Sequence, residues 1–343
     1  MSTTMMANTL DSPAPLDTDP LEWRSIAVPE PGEGQVLIEV AACGVCRSNL
    51  HMVVGDWAAD GVPGASPIVP GHEVTGRIAG LGPGVEDFVV GDPVGVQPLW
   101  WTCEECEFCR TGREQLCHQR VITGEHVDGG YAEFMLANAR HTYPVPAGLD
   151  LVAAAPLFCP GITAFGAVEK LGIEPGQSVA VFGLGGVGHM AVQFAALAGA
   201  EVIAVGRNDE HLAVAADLGA TRLVNTTRGE VEGIADSMDG VLTFAGVDSV
   251  TAMAMASLKW GGTLVNAVPV NIDGFPFNKG QTIKGSLLGN RAQMAEVLRL
   301  AAEGRIRTVT ESFDLSEAGN ALRQLEAGEL RSRAVLVNGT FSG

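Results

Sequence analysis

The pattern of apolar and polar residues changes near Gly161. Before this point the chain carries short alternating runs such as Gln35–Ala41 and Val74–Ile78, separated by glycines and prolines, and long helical patterns are scarce. Alternation over a few residues is typical of half-buried strands. We therefore predict a compact β-rich region from about Glu22 to Ala147.

After Gly161, apolar strands alternate with helical segments, which indicates βαβ units and a parallel sheet. A later helix from about Glu296 and a final strand are expected to return to the first domain. The predicted elements are strand Ser178–Phe182, helix Gly186–Leu197, strand Glu201–Val205, a helix from a cap at Asn208 to Gly219, and strands Gly240–Phe244, Thr263–Val268, Thr282–Leu288 and Ala334–Val337.

A glycine motif lies between the first predicted strand and helix of this second part. Phe182–His189 contains Gly-x-Gly-x-x-Gly, in which the first glycine permits a tight turn, the second lets backbone approach a pyrophosphate, and the third allows close packing of helix on strand. A purely structural glycine turn is the alternative, but the strand–loop–helix context favours a dinucleotide site. The predicted binding residues are Gly183, Gly185, Gly186, Val187 and Gly188.

The end of the next strand bears on cofactor choice. An acidic residue there would bind the ribose hydroxyls of NAD, but the chain has Gly206, Arg207 and Asn208. Arg207 can pair with a 2′-phosphate, so we expect NADP(H) in preference to NAD(H). A solvated surface arginine is the alternative. Val268, at the end of a later strand, completes the predicted cofactor site.

Four of the seven cysteines lie close together. Their spacing, C-x2-C-x2-C-x7-C, can close a tetrahedral structural zinc site. An iron–sulfur cluster is less favoured because ferredoxin motifs have a shorter last spacer and a following proline, where this chain has His118. The predicted ligands are Cys103, Cys106, Cys109 and Cys117.

Composition limits the class of protein. At 343 residues and 46% hydrophobic content the chain suggests a folded protein of two domains. A net charge of −19 disfavours nucleic acid and anionic membranes as partners. The absence of an export signal or long apolar run leads us to expect a cytoplasmic protein with no membrane contact. Met1–Pro20 is expected to be a loose tail.

Cys46, His72 and Cys159 could together bind a catalytic zinc, because two thiolates and one imidazole leave a coordination position open. Taken singly, each has an ordinary alternative: a buried cysteine is usually part of the core, and a lone histidine is usually only hydrogen-bonded. The residues alone leave this choice open.

A resemblance adds to these arguments. From about Glu30 to Leu336 the chain resembles the zinc-containing medium-chain dehydrogenase/reductase family, specifically bacterial alcohol dehydrogenases. The motifs that carry it are Cys46–His51, Gly71-His-Glu-Val74, the four-cysteine lobe, Asp128-Gly-Gly-Tyr-Ala-Glu133, Cys159, the glycine loop and Gly285-Ser-Leu-Leu-Gly289.

The resemblance implies two domains with the active site between them. The catalytic domain is chaperonin-10-like and β-rich; it comprises residues 1–160 and 297–343 and includes a zinc lobe at 98–120. The Rossmann domain comprises residues 161–296. The resemblance further implies hydride transfer between a nicotinamide cofactor and a small alcohol or aldehyde, two zinc ions per chain, and a homodimer or homotetramer.

The resemblance also implies roles for single residues. The catalytic zinc would be bound by Cys46, His72 and Cys159, while Cys43 is not a ligand, and Glu73 would approach the metal during ligand exchange. The proton would pass from Ser48 through the nicotinamide ribose to His51, and the pyrophosphate would be contacted by Arg47 and Arg333.

Some residues depart from the family pattern. Asn49 stands where relatives usually carry an aspartate that orients the zinc-bound histidine, and an amide is a weaker partner. Glu125-His126 is unusual in a segment near the active site. Trp57, Trp100 and Phe158 are candidates for the substrate pocket, with core packing as the alternative.

The sequence is compatible with two other functions. One is a non-catalytic relative that keeps the cofactor site as a sensor or scaffold, for which only Asn49 speaks. The other is a zinc-free reductase of activated alkenes, against which the presence of Cys46, His72 and Cys159 speaks.

Overall fold

The computed structural model describes residues 3–341. Contacts divide the chain into two units, one containing residues up to Cys159 and from Met294 onward, the other Pro160–Gln293. The strands are β1 (Thr4–Leu10), β2 (Leu21–Ala27), β3 (Gln35–Gly44), β4 (Glu73–Leu81), β5 (Pro93–Val96), β6 (Leu99–Trp101), β7 (Val121–Ile122), β8 (Phe134–Asn138), β9 (Thr142–Pro144), β10 (Ser178–Phe182), β11 (Glu201–Gly206), β12 (Arg222–Asn225), β13 (Met238–Thr243), β14 (Leu258–Asn266), β15 (Thr282–Gly285), β16 (Thr310–Asp314) and β17 (Arg333–Val337).

The helices alternate with strands mainly in the second unit, and short 3-10 segments, such as Ala155–Phe158, occur in both units. The α-helices are α1 (Arg47–Val54), α2 (Glu107–Arg110), α3 (Leu151–Ala154), α4 (Pro160–Leu171), α5 (Gly186–Leu197), α6 (Asp209–Asp217), α7 (Asp248–Ser257), α8 (Arg291–Ala302) and α9 (Ala318–Ala327). No single helix within residues 3–341 is long and apolar enough to cross a membrane.

The first unit is built on a sheet with strand order β16-β17-β3-β4-β5-β9, in which β8 also pairs with β3. Strand β3 is almost wholly buried because it lies in the middle of this sheet, where both of its faces are covered. Strands β3 and β4 run antiparallel, and their register sets Cys43 opposite Val74 and Gly44 opposite Glu73. The residues that follow β3 and precede β4 therefore lie at the same end of the sheet.

The second unit contains a six-stranded parallel sheet with the order β12-β11-β10-β13-β14-β15. Its central strands are continuous apolar runs because helices cover both faces of such a sheet. Helices α4 and α5 pack on each other through Phe165 and Phe194, whose ring centroids lie 5.1 Å apart. The predicted fold class, a Rossmann-type parallel sheet with a separate β-rich domain, is confirmed.

The expectation of a loose tail over Met1–Pro20 is wrong for residues 4–20, and its first two residues lie outside the described chain. Strands β1 and β2 form an antiparallel pair. Ala7 forms a bridge with Ala132, and Leu10 forms one with Ile68. Ala7 and Leu10 are fully buried, so distant residues, rather than local composition, fix this segment.

Candidate active site

Three sequence segments bring the candidate zinc ligands together in the first unit. Cys46 precedes α1 as its N-cap, shortly after β3 ends. His72 lies immediately before β4, and Cys159 follows the 3-10 segment Ala155–Phe158. The antiparallel pairing of β3 with β4 brings the first two ligands to one end of the sheet.

The geometry of this cluster suits a metal ion. Candidate ligand atoms of Cys46, His72, Glu73 and Cys159 all lie within 4.8 Å of one another. The sulfurs of Cys46 and Cys159 are 3.8 Å apart, and a zinc tetrahedron with Zn–S bonds of ~2.3 Å has S–S edges of about 3.8 Å. Two thiolates and an imidazole are also the donors of some catalytic zinc sites. The residues present therefore fit zinc.

A hydrogen bond links the thiols of Cys46 and Cys159. A hydrogen bond from Cys159 holds the pKa of the Cys46 thiol well below its usual range, and the same bond raises the pKa of the Cys159 thiol. Burial lowers the pKa of His72, but the hydrogen bond with Cys46 and the negative charges of Cys46, Glu125 and Glu73 together raise the pKa above its usual value. The cluster thus already favours a thiolate at Cys46, the form that binds metal.

Glu73 and Arg333 form a buried ion pair beside these ligands. The guanidinium of Arg333 donates through Nε to Glu73 Oε2 at 3.1 Å and through Nη2 to Oε1. Gly44 permits this arrangement, since a Cβ there would overlap the Glu73 carboxylate. Burial raises the pKa of Glu73 to about 7, and the charge of Arg333 opposes that shift. The contact that the structure shows for Arg333 is thus with Glu73, and its contact with a pyrophosphate stays a prediction.

The proposed proton relay lies on and beyond α1. Ser48 Oγ lies 3.5 Å from His72 Nε2, so this ring nitrogen faces the cluster. His51 Nδ1 pairs with Asp56 Oδ2 at 2.7 Å, and the side chain of His51 is 35% exposed. Asp56 was not predicted, because nothing in the local sequence marks it. The His51 side chain is therefore in contact with solvent.

Asn49, which departs from the family pattern, and two candidate residues of the substrate pocket lie in different surroundings. Asn49 Oδ1 accepts from the Cys46 amide at 3.3 Å and from the Tyr131 hydroxyl at 3.2 Å, so this oxygen is engaged by groups other than the His72 imidazole. Phe158 is fully buried against Tyr143, which supports core packing. The Trp57 ring lies 5.3 Å from that of His51.

The four-cysteine lobe also fits a zinc ion. The S–S distances are 3.9 Å for Cys103–Cys109, 3.5 Å for Cys106–Cys109 and 3.5 Å for Cys103–Cys117. Backbone hydrogen bonds, of which the one from the Cys106 amide contributes most, lower the pKa of the Cys103 thiol to about 7. Four sulfurs would leave no open coordination position, as in structural zinc sites.

The glycine loop in the second unit has the geometry that a phosphate requires. Gly183 has a positive φ of 88°, in the region that favours glycine. A Cβ on Gly188 would overlap the Gly183 carbonyl, whereas a Cβ on Gly185 would meet nothing within 4 Å. Gly185 caps α5, whose N-terminus includes Gly186 and Val187. The loop therefore leaves space where backbone amides can receive a phosphate.

The other residues predicted to contact the cofactor differ in exposure and in hydrogen bonding. Arg207 is exposed just beyond Gly206, the last residue of β11. Asn208 caps α6 by accepting from the Glu210 amide at 2.8 Å, so its oxygen has a structural role. Val268 is half-buried two residues beyond β14, and Arg47 donates to the Leu325 carbonyl at 3.3 Å.

A metal set with one open position in one unit and a dinucleotide loop in the other define a metal-dependent dehydrogenase. The comparisons agree. Residues 32–147 match the alcohol dehydrogenase GroES-like domain, and residues 186–303 match the zinc-binding dehydrogenase domain.

Relatives that match nearly the whole chain are also dehydrogenases. An alcohol dehydrogenase of Geobacillus stearothermophilus is 39% identical over 92% of this chain and 95% of its own. An alcohol dehydrogenase structure from Aeropyrum pernix has a TM-score of 0.90 at 32% identity, covering 97% of this chain and 99% of that one. A zinc-binding dehydrogenase from Sinorhizobium meliloti 1021, solved with bound NADP, has a TM-score of 0.88 at 28% identity over 98% and 100% of the two chains.

The chain belongs to the zinc-containing medium-chain dehydrogenase/reductase family. It is a zinc-dependent alcohol dehydrogenase or aldehyde reductase that uses a nicotinamide cofactor. This confirms the predicted family and reaction class. The non-catalytic alternative is not favoured, since the described chain retains every predicted ligand and the glycine loop.

Proposed function

We propose that the enzyme binds two zinc ions and uses NADP(H) to interconvert an alcohol and its aldehyde. The convergence of Cys46, His72 and Cys159 carries this proposal, because a soft set of three ligands leaves a position for a substrate oxygen. Cys103, Cys106, Cys109 and Cys117 would hold the second, structural ion.

The bound catalytic zinc would supply Lewis acidity that lowers the pKa of an alcohol or polarises a carbonyl. Ser48 accepts the proton that the alcohol releases and gives up its own hydroxyl proton towards His51, one turn further along α1. The Ser48 hydroxyl lies beside the ligand face of His72. His51 passes the proton to water, and Asp56 holds the ring in position through Nδ1. Reduction of an aldehyde uses the same groups in the opposite direction.

Glu73 has a supporting role in this proposal. Its carboxylate lies within 4.8 Å of the ligand atoms, so it can approach the metal while substrate and water exchange. Arg333 balances its charge in a buried setting, where an unpaired carboxylate would be costly.

The preference for NADP(H) rests on the end of β11. Gly206 leaves room, and the exposed Arg207 carries five donors suited to a phosphate group. Asp209 follows but pairs with Arg228, at 2.6 Å, and accepts from Asn225. Arg47 and Val268 complete the proposed cofactor contacts.

We also propose a homodimer or homotetramer in the cytoplasm. In the second unit β15 is an edge strand of the parallel sheet, and a sheet edge invites pairing with another chain. Phe277 is 86% exposed and Trp260 is 65% exposed in the same unit. Static light scattering would report the mass, and a monomer at micromolar concentration would refute this part of the proposal.

The function is tested by a panel of alcohols and aldehydes with both cofactors, combined with zinc analysis. We expect two zinc ions per chain and aldehyde-dependent NADPH oxidation that exceeds NADH oxidation. Turnover of activated alkenes by a zinc-free protein would instead favour a reductase without metal. A kcat/KM with NADH that equals or exceeds the value with NADPH would refute the preference for NADP(H) and leave the rest of the proposal intact.

A further inference from the structure

We propose that Glu125 is a positioning residue that orients His72 for the catalytic zinc. The inference rests on the proposed function, because it concerns the same metal site. The observation behind it is a buried ring nitrogen that faces a carboxylate across a short gap.

The unsatisfied atom is His72 Nδ1. It has no hydrogen-bond partner among residues 3–341, and the side chain is only 2% exposed. The other ring nitrogen, Nε2, faces Ser48 and the sulfur ligands. A neutral histidine that binds metal through Nε2 carries its hydrogen on Nδ1, so this donor requires an acceptor.

Glu125 provides the nearby acceptor. Its Oε1 lies 3.9 Å from His72 Nδ1, and its side chain is 12% exposed. An ordinary N–H···O bond is about 2.9 Å long, so a movement of about 1 Å closes the gap. Asn49 does not compete, because its oxygen already accepts from Cys46 and Tyr131.

The backbone around Glu125 fixes this placement. A Cβ on Gly124 would lie 2.6 Å from the Gly71 amide nitrogen, so the turn carrying Glu125 packs directly on the residue before His72. The Glu125 carbonyl accepts from the Gly64 amide at 2.7 Å. The carboxylate is therefore held beside the imidazole by backbone packing, although it is far from His72 in sequence.

A carboxylate paired with Nδ1 fixes the tautomer and ring plane, and raises the basicity of Nε2. Removing such a partner typically weakens metal binding or activity by about 10- to 100-fold. The alternative role for a carboxylate near the metal is contact with substrate, which would change KM and leave zinc affinity unchanged.

The test is competition between the zinc-loaded enzyme and a chelator series, with the zinc retained per chain as the readout. For Glu125→Ala we expect one zinc to dissociate about 10- to 100-fold more readily, while the structural zinc is retained as an internal control. Glu125→Gln keeps an oxygen acceptor at the same reach and should lose only part of this affinity. Glu86→Ala, an exposed glutamate in the loop after β4, is the charge control.

The outcomes separate this inference from the proposed function. Wild-type affinity of Glu125→Ala for both zinc ions would overturn it, whether or not KM changes. If the wild-type enzyme binds only the structural zinc, the proposed function itself fails. Far-ultraviolet circular dichroism and retention of the structural zinc verify that the variants are folded.

Discussion

The sulfur atoms of Cys46 and Cys159 lie 3.8 Å apart, although 113 positions separate the residues in the chain. The first caps a helix beyond one central strand, and the second ends a 3-10 segment. Such proximity of two thiols without a disulfide is expected where both bind one metal. The sheet therefore positions the candidate metal site, and the segments at its end supply the proposed ligands.

The structural lobe gives a first prediction. Cys106→Ser removes one of four sulfur ligands, so we expect the zinc content to fall by one ion per chain and the thermal midpoint to decrease. Mass spectrometry under native conditions measures the first effect, and calorimetry the second. Unchanged zinc content in this variant would show that the lobe is not a metal site.

A second prediction concerns the buried ion pair. Arg333→Met leaves the Glu73 carboxylate without its partner, and breaking a buried pair typically costs about 3–5 kcal/mol. Denaturant unfolding at pH 8 measures the loss. Arg331→Met, an exposed neighbour, is the matched control and should lie within about 0.5 kcal/mol of wild type. Equal stabilities of the two variants would contradict the role given to the pair.

His189 gives a prediction about pH. Burial lowers its pKa from 6.5 to about 4, so the unfolded chain binds the proton first as the pH falls. The stabilisation is complete above about pH 6.5 and is lost progressively towards pH 4, by about 3 kcal/mol in total. His189→Gln should lack this dependence. Parallel stability curves for wild type and variant between pH 4 and 7 would show that the histidine does not contribute.

Arg207 gives a prediction about cofactor selection. Hydrogen bonds to charged groups contribute about 1.5–3 kcal/mol, so Arg207→Ala should lower kcat/KM for NADP(H) about 10- to 100-fold and change that for NAD(H) little. Arg222→Ala, an exposed arginine at the start of β12 in the same unit, should leave the ratio unchanged. The ratio of kcat/KM values is the measurement, and an unaffected ratio in Arg207→Ala would remove this residue from the cofactor site.

Much of this architecture was predictable because its signals are local. Strands β10 and β11 are largely apolar runs, and the observed β10 and α5 have the predicted bounds. The cysteine lobe is marked by spacing alone, since its ligands are adjacent in sequence. Helix α6 ends where Gly219, with a φ of 111°, stops the pattern.

What could not be predicted depends on contacts between distant residues. The pairing of Glu73 with Arg333 joins positions 260 residues apart, and no local pattern signals it. The N-terminal strand was missed because its burial requires bridges to Ala132 and Ile68. Glu125 was noticed as unusual, but its relation to His72 emerges only when the turn packs on Gly71.

The central claim is that Cys46, His72 and Cys159 hold a zinc ion that the reaction requires. The most direct measurement is the rate of alcohol-dependent NADP⁺ reduction by Cys46→Ala, purified with its structural zinc in place. The account predicts a folded protein with one zinc per chain and no detectable turnover. Turnover at the wild-type rate in that protein would contradict it.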